Sequence, residues 1–247
     1  MEFGGFQKLT LLDFPGKVAC ILFTKGCNMR CPFCHNNTLV TTPTKAEHIT
    51  DQEVLDYLQK RKGVLEGVVV TGGEPLLHNS LGDFLKKVKD LGYAVKLDTN
   101  GSLPDKLIAL VEDGLVDYVA MDIKNSFEKY EQTCGTSEIE ISEIKKSIDF
   151  LLEGTVDYEF RTTVVQGEHT VEDIEKICAT ISGAKKYFLQ NFVDSGDLIG
   201  SDLTPVTLDI TLSWFNYKFY GGAFLPVDVN VCERRHADQV YPARSHK

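Results

Sequence analysis

KVACILFTKGCNMRCPFCHN, residues 17–36, decides the fold of this chain. It opens with a short apolar, β-branched run, KVACILFT (17–24), and leads straight into three closely spaced cysteines. Five later segments repeat that opening: GVVVT (67–71), YAVKLDT (93–99), YVAMDIK (118–124), YEFRTTVV (158–165) and KYFLQNF (186–192). Longer stretches of helical period separate them. Alternation of this kind predicts parallel strands joined by crossover helices, an α/β fold. Six such units predict a partial (β/α)6, TIM-like barrel of parallel strands, since the chain after 192 is too short and too weakly patterned for two more.

The helical stretches carry their own punctuation. Thr50 and Glu53 form a capping box before a helix at 51–62. In 80–91, Leu81, Phe84, Leu85, Val88 and Leu91 share one face, and Gly92 suits the position after the end. Pro104 opens a helix that closes at Gly114, and another over 141–153 closes at Gly154. Thr170 caps 171–182, where Val171, Ile174, Ile177 and Ile181 are expected to face inward.

At 247 residues, 43% hydrophobic and 25% charged, the chain has ordinary globular composition. No linker or low-complexity stretch divides it, so residues 1–247 read as a single domain. The core spans about 17–192, and a short C-terminal extension over about 193–247 holds a helix near 205–218, a Gly221-Gly222 turn and an apolar run ending in VDVNV. Lys and Arg total 26 against 36 Asp and Glu, a net charge of −10, the wrong sign for binding nucleic acid. The start lacks the basic and apolar regions of a leader, and no apolar run approaches a membrane span, so no membrane partner and a cytoplasmic location are expected.

Seven cysteines, an odd number in a chain of this size, make a poor disulfide framework. Cys27, Cys31 and Cys34 stand at i, i+4 and i+7, one face of a helix if helical. Pro32 argues against a helix, and Gly26 and Asn28 favour a loop leaving the first strand. Three thiolates on one loop suit three corners of a cubane iron-sulfur cluster with one iron left open. A Cys3His zinc site completed by His35 is the alternative, although structural zinc usually draws on two separated pairs. Cys20 is expected to pack as a small apolar residue, and Cys134, Cys178 and Cys232 lack cluster spacing. His35, His78 and His169 receive no acid or base role.

CNMRCPFC resembles the C-x3-C-x-aromatic-C motif of the radical S-adenosylmethionine (SAM) superfamily, with Phe33 in the aromatic position. The opening GGFQKLTLLDFPGKVACILFTKGCNMRCPFCHN resembles the start of activating enzymes for glycyl radical enzymes, in particular those of anaerobic ribonucleoside-triphosphate reductases, and the resemblance extends through the GGEP, DTNG and MDIK segments. It implies a [4Fe-4S] cluster held by Cys27, Cys31 and Cys34, with SAM at its open iron. Reductive cleavage of SAM then gives a 5′-deoxyadenosyl radical that removes hydrogen from a partner's glycine.

The resemblance also distributes the remaining roles. Gly72, Gly73 and Glu74, at the end of the second strand, contact the SAM amino group, where a tight turn is the plainer reading. Asp98, Thr99 and Asn100 end the third strand, and Asp122 and Lys124 end the fourth. All five line the SAM site, and Asp98, Thr99 and Asp122 offer oxygens to a monovalent cation. Arg161 binds the SAM carboxylate, with an Arg to Asp or Glu pair as the competing account. Gln190 reaches the ribose or adenine. The implied partners are a glycyl radical enzyme and a flavodoxin or ferredoxin as electron donor. Lys8, Lys17, Lys25, Arg30 and Lys45, against only Glu2 and Asp13 in the first 45 residues, offer such an acidic donor a basic surface. Residues 1–16 and the tail after 195 are expected to border the barrel's open side. An activator of another glycyl radical enzyme, of pyruvate formate-lyase type, or another radical SAM enzyme is the runner-up, and a non-catalytic zinc-binding module is the alternative of another class.

Overall fold

The computed structural model describes residues 1–206 and 231–233. Strand β1 (Glu2–Thr10) runs antiparallel to β2 (Ala19–Thr24), and β3 (Ile49–Thr50) pairs with the other edge of β1. From β2 the sheet continues in parallel through β4 (Gly67–Gly72), β5 (Ala94–Thr99), β6 (Tyr118–Asp122), β7 (Asp157–Val164) and β8 (Tyr187–Asn191) to β9 (Val231–Glu233). Its end strands, β3 and β9, pair with different neighbours, so among the described residues the barrel is open. The six expected strands are all present. β1 was not expected, because its GlyGly pair and irregular register with β2 blur the alternation that marks a strand. β9 begins where the VDVNV run ends; the expected helix near 205–218 and the Gly221-Gly222 turn lie almost wholly outside the described residues.

The helices follow their punctuation. α1 (Asn37–Thr41) is one short turn, and α2 (Asp51–Lys60) carries the Thr50–Glu53 capping box. α3 (Leu81–Asp90) buries Leu81, Phe84, Leu85 and Val88. α4 (Pro104–Glu112), α5 (Tyr130–Cys134) and α6 (Ile141–Leu152) follow. α7 (Val171–Thr180) is boxed by Thr170 and Asp173. Ile174, Ile177 and Ile181 face inward there as expected, but Val171 is exposed: as the first residue of the helix it projects beyond the core that the later turns cover.

Side-chain alternation along the strands separates two interiors. Outward-facing Leu22, Val68, Val70, Leu97, Val119 and Phe160 pack against the helices in the larger core, with Leu85, Leu107, Ile148 and Ile177 opposite. Each such side chain contributes about 1.5–3 kcal/mol on burial. Inward-facing Ala19, Ile21, Phe23 and Val69, with Phe14 from the β1–β2 loop, make a small apolar cluster on one side of the barrel interior. The other side is polar. β5 and β7 alternate Lys96, Asp98 and Glu159, Arg161, all buried. This asymmetry leaves the upper barrel polar where strands β5, β6 and β7 end.

Candidate active site

Residues 25–36 form the loop after β2, non-helical throughout, as Pro32 requires. Backbone bonds fasten it on several sides: Gly26 N donates to Leu39 O (2.8 Å), Glu74 N to Gly26 O (2.8 Å) and Arg30 N to Cys134 O (2.7 Å). Gly200 N donates to Pro32 O (2.8 Å), which brings the chain after β8 across the loop. Asp197 accepts from Thr38 N (3.1 Å) and Thr38 Oγ1 (3.2 Å), fixing α1 beneath it. A loop so anchored holds its three cysteines in fixed relation.

Cys27, Cys31 and Cys34 line one cavity at the C-terminal ends of the parallel strands, where ligands bind in such sheets. Burial pushes the Cys27 thiol up to about 12 and raises that of Cys34. Cys31 moves the other way, to about 7, because the Cys134 thiol hydrogen-bonds to it. Cys27 Sγ accepts from Met29 N (3.3 Å) and Asn100 Nδ2 (3.8 Å), polar support of the kind that steadies a thiolate ligand. Among the described residues, no three Cys, His, Asp or Glu converge on a point that one ion can occupy. A cubane, unlike a single zinc ion, places each thiolate on a different iron.

Every other residue expected at the site borders the same cavity. Gly72 presses against the end of β2 and Gly73 against the cysteine loop, where a Cβ would strike the backbone of Phe23 and Thr24 or of Gly26. Glu74 is buried and accepts from Leu76 N (3.1 Å), Thr99 Oγ1 (2.9 Å) and Asn100 N (2.7 Å), tying the β4 end to the β5 end. Burial raises its carboxyl to about 7 against those bonds. Asn100 Nδ2 also donates to Asn28 Oδ1 (2.9 Å), and Asn28 Nδ2 to Ser102 Oγ (2.8 Å). Phe33 is buried against His169, with ring centroids 6.0 Å apart, and Gln190 faces the cavity from β8.

Arg161 bridges two carboxylates. Its Nη1 lies 3.2 Å from Asp98 Oδ2 and its Nε 2.9 Å from Asp122 Oδ1. Lys124 Nζ meets Asp122 Oδ2 at 3.1 Å. Burial alone would raise the Asp122 carboxyl, yet Arg161 and Lys124 hold it at about 2. The Arg to Asp pair weighed from the sequence thus exists, and it sits in the cavity wall.

Several neighbours escaped sequence reasoning. Gln7 and Asp13 line the cavity from the β1 side, and Cys134 reaches Cys31 from α5 although 103 positions separate them along the chain. His35 stacks on Phe192 (5.5 Å), His78 bonds Lys25 O (2.8 Å) and His169 bonds Lys124 O (2.8 Å), so each has a structural contact.

Residues 21–181 match the radical SAM superfamily. The chain belongs to that superfamily. It is 34% identical over 195 residues, 76% of this chain and 78% of the other, to a Methanocaldococcus jannaschii protein described as a glycyl-radical enzyme activating enzyme. A pyruvate formate-lyase-activating enzyme of Listeria monocytogenes is 34% identical over 130 residues, 48% of this chain and 51% of its own. Within the superfamily this chain is therefore an enzyme of the glycyl-radical enzyme activating family. The fold is shared with Streptococcus suis SuiB bound to S-adenosylmethionine (TM-score 0.62, 13% identity, 92% of this chain), of which this chain spans 55%. A domain of the pyruvate-formate lyase-activating enzyme of Bacteroides vulgatus also shares it (TM-score 0.52, 18% identity, 68% of this chain and 99% of that domain). Membership implies a [4Fe-4S] cluster and SAM as cofactors. Among the described residues, no helix is long and apolar enough to cross a membrane.

Proposed function

We propose that this chain activates an anaerobic ribonucleoside-triphosphate reductase by generating a glycyl radical on it. The observation that carries the reading is the convergence of Cys27, Cys31 and Cys34 with the ends of β4, β5, β6 and β7 on one cavity. The opening segment, which resembles the activators of those reductases, supports that target over pyruvate formate-lyase.

Cys27, Cys31 and Cys34 hold the cluster by three irons, and the Cys134 thiol supports Cys31 from behind. When bound, the cluster and SAM would supply one-electron reductive chemistry at the sulfonium and, through it, removal of a hydrogen atom from the partner's glycine. Gly72 and Gly73 let the backbone approach the SAM amino group, while Glu74 fixes the turn that presents them. Arg161, already oriented by Asp98 and Asp122, offers its remaining donors to the SAM carboxylate. Gln190 borders the nucleoside end. The protein's work is positioning and electrostatic preorganisation. A flavodoxin or ferredoxin reaches the cluster side, where the cysteine loop carries Lys25 and Arg30.

The test is to mix anaerobically reconstituted, reduced protein and SAM with an anaerobic ribonucleotide reductase and record EPR. A glycyl doublet is expected. A doublet only with a pyruvate formate-lyase would reassign the target, and a colourless protein with stoichiometric zinc and no SAM cleavage would overturn the enzymatic reading.

A further inference from the structure

Below Asp98 on the same face of β5 lies Lys96, a fully buried lysine that the reading above does not use. Its ammonium donates to Asp13 O (2.5 Å) and stands 3.6 Å from both Asp98 Oδ1 and Glu159 Oε1. The Tyr118 ring packs against it at 5.6 Å, and Tyr118 donates to Glu159 Oε2 (2.9 Å). A lysine is almost never buried so fully unless its charge is needed where it lies.

Asp98 Oδ1 is the oxygen that needs it. That atom is buried and accepts no hydrogen bond. The other three oxygens of the carboxylate pair already face cationic groups: Asp98 Oδ2 and Asp122 Oδ1 face the Arg161 fork, and Asp122 Oδ2 faces Lys124. Thr99 Oγ1, the third expected oxygen, donates to Glu74 and accepts from Gly101 N (3.1 Å). Across the interior, Lys96, Lys124 and Arg161 face Asp98, Asp122 and Glu159; of the other carboxylates lining the cavity, Asp13 accepts from Thr10 Oγ1 and Glu74 from Leu76 N, Thr99 Oγ1 and Asn100 N. A potassium or sodium ion would therefore meet Asp98 and Asp122 oxygens that already face Lys96, Lys124 and Arg161, and those three cations would repel it. The expected cation site does not fit these residues.

We propose that Lys96, acting with Arg161 and Lys124, is a built-in cation that takes the place of a monovalent metal ion beside the SAM site. Lys96 is thus a positioning residue: it holds Asp98, which in turn orients Arg161. The proposal rests on the cavity being a SAM site, and one arm of the test does not depend on that reading.

In the first arm, the melting temperature of the cluster-free protein is compared in potassium, sodium and tetramethylammonium chloride at equal ionic strength. A resident ion stabilises by mass action, so equal values are expected and a rise specific to potassium or sodium overturns the proposal. In the second, SAM binding to the reconstituted, unreduced protein is measured by equilibrium dialysis in the same salts. Equal affinities are expected. Potassium-dependent binding overturns the proposal, whereas no SAM binding in any salt overturns the SAM-site reading instead. In the third, Lys96→Met is expected to bind SAM about tenfold or more weakly in tetramethylammonium, recovering with potassium. A folded Lys96→Met that binds as the native chain does without potassium also overturns it. Should that variant fail to fold, the first two arms on the native chain still decide.

Discussion

Gly73→Ala isolates how the cysteine loop and the β4 turn are joined. Gly73 does not need the left-handed region; its constraint is space. An added Cβ would lie 2.7 Å from Gly26 C and 3.2 Å from Gly26 N, and closer still to Gly26 O, all backbone atoms that cannot swing aside. Ordinary contact requires the two segments to separate by more than an ångström. That breaks Glu74 N to Gly26 O (2.8 Å) and Gly73 N to Thr24 O (2.9 Å). Each lost bond costs about 1 kcal/mol net, and up to about 3 kcal/mol where a partner stays buried, so the substitution should cost about 2–6 kcal/mol. Gly92→Ala is the control, because Gly92 has φ +89° and nothing within 4 Å of its would-be Cβ. It carries only the left-handed penalty, about 1–2 kcal/mol. Urea denaturation of the cluster-free proteins, followed by far-UV circular dichroism, measures both. Gly73→Ala should in addition load less iron and sulfide on anaerobic reconstitution, and Gly92→Ala should load fully. If Gly73→Ala costs no more than Gly92→Ala and takes up its full complement of iron, the close approach is not what holds the cysteine loop in place.

Replacing Cys27, Cys31 or Cys34 singly by serine should abolish the brown colour and iron content while far-UV circular dichroism stays native. Arg161→Met leaves buried Asp98 and half-buried Asp122 without their shared guanidinium; it should cost about 3–5 kcal/mol by urea denaturation, and Arg161→Lys should recover only part of that because an ammonium cannot fork. Asp173, boxed with Thr170 and bonded to Lys129 (2.6 Å), has its carboxyl held at about 2 although burial opposes it. A carboxyl lowered on folding stabilises above its unfolded range near 3.8 and loses that contribution as pH falls toward 2. The native chain should therefore exceed Asp173→Asn by about 2 kcal/mol at pH 7, with the gap closing near pH 2.

The parallel strands were legible because each is short, apolar and bounded by turn residues, and because the helices between them announce their caps. The functional strand ends were legible for a related reason: glycines and polar residues stand where apolar runs stop, at GlyGlyGlu, AspThrAsn and Asp-x-Lys. What stayed hidden depends on partners far apart in sequence. Lys96 and Glu159 each look like an outward polar residue in a strand, and only the closing of β5 toward β7 through β6 makes them a buried pair. Cys134 belongs to no spacing pattern, yet the short α5 delivers it to Cys31. β1 was hidden by its own irregularity, since Gly4, Gly5 and the register shifts erase the two-residue period.

The charged half of the barrel raises a question of energetics. Four buried charged groups, Lys96, Asp98, Glu159 and Arg161, with Asp122 and Lys124 half-buried beside them, are a poor way to stabilise a core, for an apolar replacement of a buried pair is often neutral or better. Their arrangement is better explained by what the cavity must do. A zwitterionic sulfonium ligand of the kind proposed would bring both signs of charge into a half-enclosed cavity, and a wall able to answer only by reorganising would lose much of the interaction. Here Arg161 is held by two carboxylates, and Asp122 by two cations, before any ligand arrives. Reorganisation is thereby settled during folding, which is the condition under which fixed dipoles and charges act most strongly. The apolar half, Ile21, Phe23 and Val69, contributes the complementary property, a face of the cavity with few polar groups to attract water. Substituting Val69→Thr adds a hydroxyl on that face with little change of volume. It should leave SAM affinity within about twofold while raising 5′-deoxyadenosine release uncoupled from glycyl radical formation. Unchanged coupling, measured as nucleoside released per EPR spin, would remove the apolar half from the argument.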